Sequence, residues 1–188
     1  RGRAALNVKK SSYKFQRHPY EPCYLYESGI LPLQQYPIKG VLWYQGESNA
    51  HNKDAHEKLF KLLVQSWRKN WNNEDMPFYF VQLSSINRPS WGDFRDSQRK
   101  LSNKINNTYM AVSSDVGHPT DVHPKEKLII GKRLANLIRQ HTYKEQIQAN
   151  SPQPITYQKA EGKILVAFNN CELLAIKGPE GVYTYIIA

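Results

Sequence analysis

Two short clusters in this sequence hold the residue types that acyl transfer needs. The first is Thr120-Asp121-Val122-His123-Pro124. A carboxylate beside an imidazole can orient the ring and stabilise its cationic form. The imidazole can then act as general base toward a hydroxyl nucleophile. The plainer reading is that Asp121 caps a helix and His123 is a surface residue. The second cluster is Trp43-Tyr44-Gln45-Gly46-Glu47-Ser48-Asn49-Ala50. Acyl transfer needs donors aimed at a developing oxyanion, and Gln45, Gly46 and Asn49 offer two side-chain amides and a backbone N–H. The plainer reading here is a polar turn and helix cap. Gly46-Glu47-Ser48-Asn49-Ala50 also approximates the G-x-S-x-G nucleophile elbow, after a strand and before a helix. Ala50 replaces the last glycine, so the match that would make Ser48 a nucleophile is degenerate.

These clusters need elements to position them. Gly40-Val41-Leu42-Trp43-Tyr44, Pro77 to Leu83 and Tyr109 to Ser113 are continuous apolar runs, the pattern of buried parallel strands. Asn52 or Asp54 can cap a helix that runs to about Asn70, with Ala55, Leu59, Phe60, Leu62, Leu63, Trp67 and Trp71 at helical spacing. Asp93 to Ile105 and Lys125 to His141 read as two further helices. Strand and helix alternate three times, which predicts a parallel sheet covered by helices, with ligands at the carboxyl ends of the strands. All three loops after the strands carry the unusual polar residues. Before them, Arg1 to Pro37 is punctuated by prolines and sustains no period. After Ser151, Ile155 to Tyr157, Lys163 to Phe168 and Val182 to Ile187 read as short strands.

Composition narrows the function classes. Hydrophobic residues at 40% and charged residues at 22% describe a globular chain rather than a disordered one. The aromatic residues suit a core first and a sugar-lining cleft second. The cations behind the net charge of +10 are spread along the chain, densest from Arg1 to Lys10 and otherwise punctuating helical segments, and no helix-turn-helix, zinc finger or RRM signature accompanies them. This argues against nucleic acid. No apolar run approaches the roughly 18 residues that would span a bilayer. Cys23 and Cys171 lack C-x-x-C spacing, which excludes a zinc or redox motif and leaves open whether they pair. The opening residues lack the apolar core of a signal peptide, and the chain begins without Met, as a processed or truncated piece would.

Four separated motifs carry a family resemblance. Lys39 to Ala50 (KGVLWYQGESNA) is similar to the corresponding block of sialate O-acetylesterases, which are carbohydrate esterases of the SGNH superfamily. Pro77 to Leu83 (PFYFVQL) resembles the strand that follows it there. Arg95-Asp96-Ser97-Gln98 resembles the family's R-(E/D)-x-Q segment. Asp121-Val122-His123-Pro124-Lys125, followed by Gly131-Lys132-Arg133-Leu134-Ala135, resembles its D-(I/V)-HP-K…G-RLA block. Order and spacing agree from about Leu31 to Tyr143.

The resemblance implies an SGNH or flavodoxin-like three-layer α/β fold, with helices on both faces of a parallel sheet and the start of a small β element behind it. It implies hydrolysis of O-acetyl groups from sialic acids, or similar acetylated sugars, by a serine nucleophile, without metal or organic cofactor. His123 becomes the base and Asp121 its orienter. Gln45, Gly46, Glu47 and Asn49 fall on the oxyanion and substrate-binding wall. Arg95 and Gln98 contact substrate or brace the loops, and Arg95 would suit a sialic acid carboxylate. A helix-surface salt bridge is the other reading of Arg95. Relatives are often secreted, periplasmic or lysosomal.

Two departures qualify this. Nothing from Arg1 to Gly40 resembles the family's Gly-rich serine block, so the nucleophile is expected in a further N-terminal part of the same protein, and this chain alone is expected to be inactive. The spacing Asp121-x-His123 is also shorter than the D-x-x-H of many SGNH enzymes. Asp115 is therefore an alternative orienter, with His118 a spectator. The expected organisation is an irregular arm over 1–37, a partial α/β domain over 38–146 and a β-rich segment over 147–188. The alternatives are a non-catalytic carbohydrate-binding piece and an esterase that uses Ser48.

Overall fold

The computed structural model describes residues 21–171, together with the backbone of 173–174 and 186–187. Three parallel strands, β1 (Val41–Trp43), β2 (Phe78–Val81) and β3 (Thr108–Ala111), form one sheet in the order β1-β2-β3. Val41 pairs with Phe78, and Phe78 with Thr108. Every residue of β2 is buried, as a continuous Phe-Tyr-Phe-Val run demands when both sheet faces are covered.

Helices α1 (Lys53–Asn70), α2 (Trp91–Lys104) and α3 (Lys127–His141) follow the three strands in turn. Residues alternate across a strand, so Phe78 and Phe80 face one side and Tyr79 the other. Phe78, Phe80 and Met110 pack with Phe60 and Val64 of α1 and Leu101 of α2. Tyr79 and Ala111 pack on the opposite face with Leu137 of α3. The result is the three-layer α/β arrangement expected.

Asn52 caps α1, its side-chain oxygen accepting the N–H of Ala55 at 3.0 Å. The inward stripe of α1 is His56, Phe60 and Val64, whereas Leu59 and Leu62, expected on the apolar side, are exposed. Helix α2 begins at Trp91 rather than at Asp93, because the Trp91 indole N–H anchors to the carbonyl of Ser84 at 2.7 Å. Helix α3 begins at Lys127 rather than at Lys125, since Glu126 has a non-helical backbone.

Covering is incomplete at β1. Val41 is buried, but Leu42 is 56% exposed. The N–H of Val41 donates to the carbonyl of Pro77 at 3.0 Å. In a parallel ladder alternate residues point to opposite neighbours, so the N–H and C=O of Leu42 face outward, where no strand lies among the described residues. An apolar groove of about 310 Å³ runs by the amino end of this strand, lined by residues that include Ile30, Leu33, Tyr36, Trp67 and Trp71.

The described part of the expected arm is more ordered than its prolines predict. Tyr26–Ile30 forms a π-helical turn and Leu31–Leu33 a 3-10 turn with Pro32 in its first positions, where a missing N–H costs nothing. The Trp71 indole N–H then holds the carbonyl of Tyr36 at 2.9 Å. Beyond α3, β4 (Gln153–Ala160) and β5 (Lys163–Asn169) form an antiparallel hairpin. Leu173–Leu174 (β6) pairs with Ile186–Ile187 (β7), while residues 182–185 of the last expected strand lie outside the described residues. Cys23 and Cys171 are both free thiols. Among the described residues no helix is long and apolar enough to cross a membrane.

Candidate active site

The loops after the three strands meet at the carboxyl end of the sheet. Ala50, Leu83, Trp91 and Phe94 form a buried cluster there. Tyr44, at the start of the first loop, and Val122, between Asp121 and His123, both pack against it. The Lys127 ammonium lies over the Tyr44 ring, 4.5 Å from its centre, and so ties the start of α3 to the first loop. The second and third loops are stitched together as well. The Asn87 N–H donates to the carbonyl of Pro119 at 2.9 Å, and the Ser85 hydroxyl donates to the carbonyl of Ser114. Gly117 sits so close to the backbone of Ser85 that any Cβ would collide with it.

Within the first loop, Glu47–Asn49 is a 3-10 turn entered through Gly46, whose φ of +146° lies in a region that side chains rarely adopt. The Gly46 N–H donates to the Glu47 carboxylate at 3.1 Å. The exposed Gln45 side-chain amide bonds to no described residue. The Asn49 side-chain nitrogen lies 3.4 Å from Nδ1 of His56, a histidine only 4% exposed. Ser48 is exposed, and no hydrogen bond joins it to His123.

In the third loop, Nδ1 of His123 is 3.3 Å from Oδ1 of Asp121, and the two side chains are 82% and 48% exposed. The same oxygen accepts the backbone N–H of His123 at 2.9 Å. This is an Asx-type turn, in which a carboxylate caps the amide two residues on. The backbone bond from His123 holds the Asp121 carboxyl below its ordinary range. Asp121 in turn donates its own N–H to Nδ1 of His118 at 3.1 Å. Asp115 is committed elsewhere: Arg133 grips it with both guanidinium nitrogens.

On α2, Gln98 is buried, and its carbonyl oxygen accepts the N–H of Leu83 at 3.0 Å. It bridges helix and post-strand loop from beneath. Arg95 is half-buried. Its Nη2 donates to the Gln82 side-chain oxygen at 3.3 Å, its Nε has no partner, and no carboxylate pairs with it among the described residues. The salt-bridge reading of Arg95 is therefore not what the fold makes. Burial pushes its guanidinium below the usual arginine range. Gln82 and Ser113 complete this wall: the Gln82 amide nitrogen donates to the carbonyl of Arg95, and the Ser113 hydroxyl to the carbonyl of Gln82. Neither they nor His56 stand out in the sequence. The nearest signal is the placing of His56 four residues before Phe60 on the inward stripe of α1.

Known proteins resemble this chain in sequence and in fold. The family described as carbohydrate esterase, sialic acid-specific acetylesterase matches residues 14–140. The sialate O-acetylesterase of Rattus norvegicus is 32% identical over 164 residues, 70% of this chain and 30% of that protein. That of Mus musculus is 33% identical over 132 residues, 58% of this chain and 24% of its own length. A crystal structure of a carbohydrate acetylesterase from Xanthomonas citri superposes with a TM-score of 0.71 at 34% identity, over 77% of this chain and 35% of that one. The chain thus spans about a quarter to a third of the relatives it matches. With a family match across most of the α/β domain and a shared three-layer fold, this chain belongs to the sialic acid-specific acetylesterase family of carbohydrate esterases.

Proposed function

We propose that this chain supplies the base-bearing and amide-bearing walls of a carbohydrate O-acetylesterase site, and that a serine from sequence upstream of Arg1 completes it. The substrate is an O-acetylated sialic acid or a similar acetylated sugar. The observation that carries this reading is the common seat of Tyr44, Ala50 and Val122 on one buried cluster, which brings the Gln45–Asn49 turn and the Asp121–His123 loop to one rim. The outer side of β1, which no described strand covers, and the partial coverage of the relatives support a further strand beside it.

In this mechanism His123 takes the serine proton as Oγ attacks the acetyl carbonyl. Gln45 and Asn49 donate to the oxyanion. His123 then gives the proton to the departing sugar oxygen. Water, deprotonated by the same imidazole, cleaves the acetyl-serine and releases acetate and the free serine. Asp121 orients the ring. Arg95, which pairs with no carboxylate among the described residues, would meet the substrate's own carboxylate, and Gln98 braces Leu83 beneath the site.

The test is direct. The pure 188-residue chain should not turn over an acetyl ester, whereas the gene product including upstream sequence should. His123→Ala should lower that activity by about 10³–10⁴. Turnover by the chain alone, abolished by Ser48→Ala, would refute the upstream serine.

A further inference from the structure

We infer that His56 is a positioning residue for Asn49: the neutral imidazole, buried on α1, accepts the Asn49 side-chain amide at Nδ1 and locks the Gly46–Asn49 turn from behind. This rests on the reading of Asn49 as part of the acyl-transfer wall.

The chemistry follows from the atoms that meet. An amide nitrogen can only donate, so Nδ1 at 3.4 Å must be the acceptor, and the ring proton belongs on Nε2. The ring is fixed on its other sides. Phe94 lies 4.7 Å away, tilted against it, and Phe60 stacks at 6.0 Å. Gly46 backs onto the ring edge, where a Cβ would come within 3.4 Å of Cε1. One side chain thus lies against both ends of the turn.

Protonation would remove the acceptor and bury a charge. The groups around the ring do little to welcome that charge. Glu57, next along α1, favours it, but its carboxylate is engaged by Lys104 at 2.9 Å. Glu47 spends its carboxylate on the Gly46 N–H. From α2 the neighbour is Phe94, which is apolar, and Leu83, past the end of β2, lies beside Gly46 on the same side of the turn. Burial accordingly pulls the imidazole below its ordinary range.

Nitrogen NMR on the 188-residue chain tests this. At neutral pH, His56 should carry its proton on Nε2, and the Asn49 amide hydrogens should exchange about tenfold more slowly than those of exposed Gln45. His56→Phe keeps the aromatic packing and should erase that protection. His56→Asn puts an acceptor oxygen near the Nδ1 position and should restore part of it. On acidification, the Asn49 amide shift should step at the pH where His56 titrates. A proton on Nδ1, or an Asn49 amide indifferent to His56 protonation, would overturn the inference even if His56→Phe failed to fold. If Asn49 proves locked but the gene product hydrolyses no acetyl ester, the esterase reading fails and this one stands.

Discussion

Arg133 and Asp115 form a two-pronged ion pair, Nη1 to Oδ1 at 2.6 Å and Nη2 to Oδ2 at 2.7 Å. The same Nη1 also holds the carbonyl of Val112 at 2.8 Å. The pair fastens α3 to the loop after β3 and occupies the carboxylate that the sequence offered as the alternative orienter of His123. Asp115→Asn should therefore act on stability. Both side chains are partly exposed, so the expected loss is about 1 kcal/mol, or roughly 2–4 °C in Tm. Arg133 holds the Asp115 carboxyl below its ordinary range, so the stabilisation is present above about pH 4 and is lost as pH falls through the lowered value. Acid unfolding followed by circular dichroism should show this loss in the wild type and not in Arg133→Gln.

Asp121 depends on backbone more than on imidazole. The largest cause of its lowered carboxyl is the His123 N–H, which survives truncation of the side chain. In His123→Ala the Asp121 carboxyl should still titrate below the usual aspartate range, as read by carbon NMR. A return to the ordinary value would mean that the ring, not the turn, holds the carboxylate.

His56 makes stability pH-dependent in the opposite part of the scale. Its folded value is lowered, so the unfolded chain binds the proton more readily. Its stabilising contribution is complete above the ordinary histidine value near 6.5 and declines as pH falls from there toward the folded value. Urea denaturation between neutral and mildly acidic pH should show that decline, and His56→Phe should flatten it.

Two glycines are expected to resist alanine for different reasons. At Gly46 the φ of +146° is strained for any side chain, although the new methyl would find ordinary contact with His56 and Phe94. The expected cost is about 1–3 kcal/mol. At Gly117 the backbone angle of −74° is ordinary, and the obstacle is the main chain of Ser85. Its alanine variant must part the second and third loops, at about 1–3 kcal/mol. Thermal melts measure both, and amide exchange at Asn87 should rise in Gly117→Ala alone.

Much of the fold was legible because it rests on local pattern. The apolar runs at Val41, Phe78 and Tyr109 mark strands in any context, and Asn52 marks the start of a helix. Pairs with short spacing, such as Asp121 and His123, could be named from the chain alone. Their geometry could not, because spacing alone does not say that one Asp121 oxygen lies against both the His123 ring and the His123 amide. Gln98 could be read as a member of a motif, but its partner, the N–H of Leu83, lies fifteen residues away on another element. His56 was hidden by its neighbours. Leu59 and Leu62 look like the inward face of α1, yet the direction set by Val41 and Phe80 turns His56, Phe60 and Val64 to the sheet instead.

The outward-facing amide and carbonyl of Leu42 also bear on how the isolated polypeptide behaves in the test tube. Main chain that no described strand covers, beside an apolar groove, is a template on which a second molecule can lay its own extended backbone. Concentrated solutions of the 188-residue chain are expected to self-associate through this margin, and a strand supplied in cis would close that route.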